Sequence, residues 1–190
     1  MALTACGSQP RQDEDEPKGD FRVEVTRASF PSQQKLAKRS NLEISVRNAG
    51  DRTIPNLAVT VNGFESRVSD PDLADPSRPR FVVNGRPVEI GGFPEAKEAA
   101  PKGGETSYVN TWALGKVKPG AEKTFKWTVT AVKAGPFRLK YVVAAGLDGN
   151  ARAVAEGGGR PVGSFSGTIS DKPPNSRVAD DGETVVNGTP

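Results

Sequence analysis

The sequence predicts an all-β protein, an antiparallel β-sandwich, on three observations. Apolar and polar residues alternate with a period of two wherever the chain is patterned at all. Glycine and proline, 21 and 16 residues, separate those stretches and supply the turns that a many-stranded sheet needs. Helical periodicity does not compete, because its best stretch, Phe93–Ala100, is short and polar.

Taken in order, Phe21-Arg-Val-Glu-Val25 places Phe21, Val23 and Val25 on one face and Arg22 and Glu24 on the other. Leu42–Val46 and Leu57–Val61 repeat that pattern, as do Phe125–Val129 and Phe137–Val143. Each run reads as a strand with one buried face. Turn residues stand between them: Asn48-Ala-Gly-Asp51, Lys118-Pro-Gly-Ala121, Ala134-Gly-Pro136 and Asp148-Gly-Asn150. Ala151–Ala155 and Val162–Ile169 read as further strands around the flexible Gly157-Gly-Gly159. Lys172-Pro-Pro-Asn175 then ends regular structure, and 171–190 is expected to be a disordered polar tail. Trp127 is in phase with Phe125 and Val129 and is expected in the core.

Residues 64–107 interrupt this rhythm. Within them, Phe81-Val-Val-Asn-Gly-Arg-Pro-Val-Glu-Ile90 predicts a hairpin turning on Asn84-Gly85 and packed by Phe81, Val83 and Val88. Pro87 lacks a ladder donor, so its strand belongs at an edge. The flanks, 69–80 and 95–105, carry few apolar side chains and are expected to be mobile and exposed. Asp70, Asp72 and Asp75 offer oxygen ligands but lack the spacing of a calcium loop, so they read as solvated turns and no metal site is expected.

Composition excludes more than it selects. With no histidine and a single cysteine, Ser-His, Cys-His and His-ligated metal sites are ruled out, as is any disulfide within the chain. Phosphate loops, nucleophile elbows and dinucleotide fingerprints are missing too, so no catalysis and no cofactor are expected. The net charge of +3 is dispersed along strand faces without a basic cluster among aromatics, which argues against nucleic acid.

At the N-terminus, Leu3-Thr-Ala-Cys6 resembles the lipobox of bacterial lipoproteins, in which the cysteine is acylated and becomes the new terminus. Only Met1–Ala5 precede it, too few for the basic and apolar parts of a secretory signal. Gly7–Asp20, with the run Asp13-Glu-Asp-Glu16, is too polar to bury a core and reads as a flexible tether. The resemblance implies a lipid-anchored protein at a bacterial membrane, facing the extracytoplasmic side, with Cys6 as the lipidated residue. The expected organisation is a tether over 1–20, a sandwich over 21–170 with its insertion at 64–107, and the tail.

Three further segments resemble the bacterial cell-adhesion-related domains, which are immunoglobulin-like sandwiches. Leu42–Asn48 with Ala49-Gly50 and Leu57–Val61 is similar to their opening strands and Asn-x-Gly turn. Leu114-Gly-Lys-Val-Lys-Pro-Gly120 before Phe125 is similar to their Pro-Gly element, and Ala134-Gly-Pro-Phe137 to the entry of the strand that follows. The resemblance spans about 21–63 and 108–150 and implies a fold and no particular activity. The expected function is a non-catalytic binding, adhesion or scaffold module with a protein or cell-wall glycan partner, docking within 64–107. A carbohydrate-binding or envelope-associated accessory role is the alternative, with Trp112, Tyr108 and Phe93 as the ligand-binding aromatics.

Overall fold

A computed structural model describes residues 16–67, 77–84, 88–90, 104–105, 110–172, 176–181, 183 and 185–187. The chain folds as β1 (Gly19–Ser29), β2 (Gln33–Lys35), β3 (Arg39–Asn48), β4 (Ala58–Asn62), β5 (Phe81–Val83) and β6 (Val88–Ile90). There follow β7 (Gly104–Glu105), β8 (Thr111–Ala113), β9 (Glu122–Ala131) and β10 (Gly135–Ala144). The last four are β11 (Ala151–Ala155), β12 (Val162–Ser170), β13 (Ser176–Val178) and β14 (Val185–Asn187). None of the described residues is helical, and no helix is long and apolar enough to cross a membrane.

Two six-stranded sheets face each other, ordered β11-β1-β3-β9-β5 with β6 also on β9, and β2-β12-β10-β4-β8-β7. The run β1-β3-β9-β5 has the A-B-E-D order of an immunoglobulin sandwich, and β4-β10-β12 supplies C-F-G. The fold is therefore an immunoglobulin-like β-sandwich. Strict alternation builds its interior: Phe125, Trp127 and Val129 of β9 meet Leu42, Ile44 and Val46 of β3, all fully buried. The facing sheet contributes Val59, Val61, Leu139 and Tyr141 to one continuous core. Phe125 stacks on Trp127 at 5.7 Å between ring centres, and Trp112 meets Trp127 edge-on at 5.4 Å.

The turn chemistry works locally as its residue types require. In Lys118-Pro-Gly-Ala121 the amide of Ala121 donates to the carbonyl of Lys118 at 3.0 Å, with Gly120 at φ 74 as a type II turn demands. Asn48 is more than a turn former. Its buried amide donates to the carbonyls of Arg52 and Val117 at 2.8 and 2.9 Å and accepts from the amide of Gly50 at 3.0 Å. One side chain thereby ties the loop after β3 to the loop before β9.

Four expectations change. Regular structure does not end at Lys172-Pro-Pro-Asn175: within the tail β13 pairs antiparallel with β14, Ser176 opposite Asn187, because two short β-prone runs close on each other as a separate two-stranded sheet. The sandwich is not antiparallel throughout: β1 pairs with β11, and β2 with β12, in parallel. Both are edge pairings made by chain that crosses from the other sheet, where strand direction is set by the crossover. The hairpin on Asn84-Gly85 does not form. β5 and β6 each pair antiparallel with β9, Phe81 opposite Ala131 and Val88 opposite Lys126, so they follow one another along the same neighbour. The turn signal lost to the longer ladder offered by β9, which buries Phe81 to 2% exposure. This doubled segment lies at the sheet edge, where Pro87 was expected to put it. Finally, the sandwich begins before residue 21. The Glu16 carboxylate is buried and accepts from the amides of Leu147, Asp148 and Ala151 at 2.8, 2.9 and 2.6 Å, and β1 starts at Gly19. A carboxylate flanked by acidic neighbours reads as solvated, and nothing local reveals that a loop 131 to 135 residues away turns its amides toward it.

Candidate functional site

β4 leads into Gly63-Phe64, whose ring falls back onto the core, while Glu65 and Arg67 remain exposed. Pro79–Val83 returns to the same corner, fixed by an isolated bridge between Arg67 and Pro79 and by the Arg67 guanidinium donating to the carbonyl of Ser77 at 3.1 Å. Beneath these strands β8 brings Trp112 to the corner through its pairing with Val59, and Asn110 sits beside it at φ 59. The result is a cleft of about 200 Å³ lined by Phe64, Glu65, Arg67, Pro79, Phe81, Val83, Asn110 and Trp112. It opens where the 64–107 excursion leaves and rejoins the sandwich.

The cleft is smaller than the roughly 300–1,000 Å³ typical of pockets that enclose a small molecule. Its floor is apolar and its rim offers one carboxylate, one guanidinium and one amide. That arrangement suits a single apolar side chain with polar neighbours. Arg80, next to it in sequence, turns away from the rim. It is 9% exposed and donates to the carbonyl of Ala134, holding the β9–β10 turn.

Of the aromatic residues expected at a ligand site, Trp112 lines this cleft, but it is only 9% exposed and its ring is held against Trp127. It offers little open face for stacking on a sugar. Tyr108 and Phe93 lie outside the described residues, as do Cys6, Asp70, Asp72 and Asp75. Phe64, Glu65, Arg67 and Asn110 escaped the sequence reading because they carry no motif, and their convergence is a product of strand order. Among the described residues no group of three or more Asp, Glu, His or Cys is placed to hold a metal.

No protein-family model and no curated protein sequence matches the chain. Among solved structures it is similar to the CARDB domain of a Pyrococcus furiosus protein, in complex with di-metal ions. That likeness has 15% identity and a TM-score of 0.43, and covers 80% of this chain and 93% of the other. It is also similar to the cohesin module of a Clostridium perfringens family 33 glycoside hydrolase, at 12% identity and a TM-score of 0.45 over 80% and 98% of the two chains. A Salmonella alpha-2-macroglobulin mutant matches at 12% identity and a TM-score of 0.43, covering 82% of this chain but 7% of that protein.

Proposed function

We infer that this chain is a non-catalytic binding module, held at the extracytoplasmic face of a bacterial membrane by a lipid on Cys6. The observation that carries the binding role is the cleft beside the 64–107 excursion, where Trp112, Phe64 and Phe81 form an apolar floor under Glu65 and Arg67. A cleft of that size accepts an anchoring side chain of a protein partner, and its charged rim fixes the partner's orientation. The anchoring reading is supported by Leu3-Thr-Ala-Cys6 and by the acidic, apolar-poor stretch after it. A glycan-binding role has less support, because the ring of Trp112 is buried and the cleft is too small to enclose a sugar residue with its neighbours.

The anchor is tested by expressing the gene with its signal sequence and comparing Cys6→Ser with wild type in membrane fractionation. The variant should move to the soluble fraction, and equal membrane partitioning would end the lipoprotein reading. The cleft is tested by placing a photo-crosslinking residue at the exposed position of Glu65 and looking for a discrete protein adduct in cells. Filling the cleft by Val83→Trp should abolish that adduct, and an adduct indifferent to the filling would move the binding site elsewhere.

A further inference from the structure

The second sheet ends in an edge that no described strand covers from Val162 to Ser166. β12 pairs with β10 from Val162 to Ile169, but β2 covers its other side only from Thr168 to Ser170. The amide of Val143 donates to the carbonyl of Pro161, which puts the odd-numbered residues of β12 in hydrogen-bonded register with β10. Even-numbered residues therefore turn their amides and carbonyls outward, as Thr168 shows by donating to the carbonyl of Ser32 at 2.8 Å. Val162, Ser164 and Ser166 present the same groups to the open side, where no described strand meets them. Val162 is 61% exposed. From Val162 to Ser170 there is no charge, proline or bulge, the devices by which sheet proteins blunt an edge.

The inward face of this edge is rigidly built. Gly163 and Gly167 lie opposite Tyr141 and Phe137, and a Cβ on either glycine would meet those rings at 2.4 and 2.7 Å. Phe165 between them packs at 5.6 Å on Tyr141 and at 6.0 Å on Phe30. Bare glycine backbone covered by aromatic rings keeps the strand flat and in register. An edge held in this way is ready to accept another strand without reordering first.

Charge selects the occupant. The outward face of β10 carries Arg138 opposite Ser166 and Lys140 opposite Ser164, both exposed. Arg160 stands exposed just before the open stretch. In the second sheet the one acidic strand residue is Glu105 of β7, at the edge opposite β12, whereas the first sheet sets acids beside outward cations, as in Arg27–Glu43 at 3.2 Å and Arg152–Asp20 at 2.8 Å. Serines are short enough for Arg138 and Lys140 to reach across them to a strand lying two spacings, roughly 9–10 Å, from β10. A second copy of the chain would bring two such groups of cations together.

We propose that β12 is a docking edge for an extended acidic segment of another protein, which adds as a strand beside Val162–Ser166 with its carboxylates under Arg138 and Lys140. This surface is separate from the cleft at Trp112 and stands or falls independently of it.

The test uses the full chain and a blocked peptide, Thr-Glu-Val-Glu-Val-Glu-Thr, with the lysine counterpart and a backbone N-methylated glutamate peptide as controls. Titration followed by amide NMR should shift Val162–Ser166 with the glutamate peptide and leave the core unmoved. Ser164→Pro removes an outward amide while sparing the β10 ladder, and should abolish binding. Arg138→Glu with Lys140→Glu should weaken the acidic peptide at least about tenfold and admit the lysine peptide instead. The proposal is overturned by equal binding of both peptides, by undiminished binding of the methylated peptide, or by shifts confined to other strands. Silence at millimolar peptide overturns it too. Concentration-dependent shifts of β12 in the peptide-free protein would show that a second copy takes the edge.

Discussion

Glu16 holds the loop over 146–151 with one carboxylate accepting three amides, an arrangement usually found at a helix N-terminus. Gly146 makes it possible, since a Cβ there would fall 2.2 Å from that carboxylate. Replacing Glu16 with alanine leaves three inward-facing donors without an acceptor. The expected loss is about 2–3 kcal/mol, read from urea unfolding midpoints. Tyr141 gives a second prediction at this scale. Burial raises its pKa above the ordinary 10.0, because the phenolate is disfavoured where the neutral ring packs. The stability that comes from keeping Tyr141 neutral is complete below the unfolded-state value and is lost as pH rises through the folded-state value. Unfolding midpoints measured from pH 9 to 11 should thus fall more steeply for wild type than for Tyr141→Phe.

At the scale of strands, alternation in β1, β3, β4, β9 and β10 was legible because each buries one face, and a period of two then has to appear in the side chains. Legibility failed where neighbours decide. Phe81-Val-Val-Asn-Gly carried a strong hairpin signal, yet a two-residue turn is a local preference, and burial of Phe81 against Phe137 and Phe64, about 1.5–3 kcal/mol for such a side chain, favours the ladder on β9. Trp112 was legible as a large aromatic near the insertion, whereas the cleft it lines depends on β8 pairing beside β4, which no spacing announces. A glycine of β12 and one of the turn before it separate two kinds of position. At Gly167 a Cβ would stand 2.0 Å from the carbonyl oxygen of Ser32, and backbone cannot withdraw as a flexible side chain does. Gly167→Ala should cost about 1–3 kcal/mol in thermal or urea unfolding. At Gly157 nothing lies within 4 Å, so the same change should be neutral or stabilising by about 0.4–1 kcal/mol through the unfolded chain.

Over the whole molecule, the excursion at 64–107 is where the architecture departs most from a plain sandwich. It leaves β4 in one sheet, lays β5 and β6 on the outer side of β9 in the other, then returns to place β7 outside β8, the neighbour of β4. A passive loop could be excised with little penalty, because closure entropy depends weakly on length. An excursion that supplies an edge to each sheet cannot. Phe81 meets Phe30, Phe64 and Phe137 with ring centres 5.2 to 6.2 Å apart, and is buried to 2% exposure between them. Truncating it by Phe81→Ala should cost about 3–5 kcal/mol, which is a large share of the 5–15 kcal/mol that holds a domain of this size. Replacing 64–107 by a short Gly-Ser turn removes that ring and the outer partners of β9 at once. The shortened chain should lose its single cooperative transition in calorimetry and bind a hydrophobic dye at neutral pH. A sharp transition in the shortened chain, at a midpoint within a few degrees of wild type, would mean that β1-β3-β9 closes the first sheet alone and that β5 and β6 only rest on a finished sandwich.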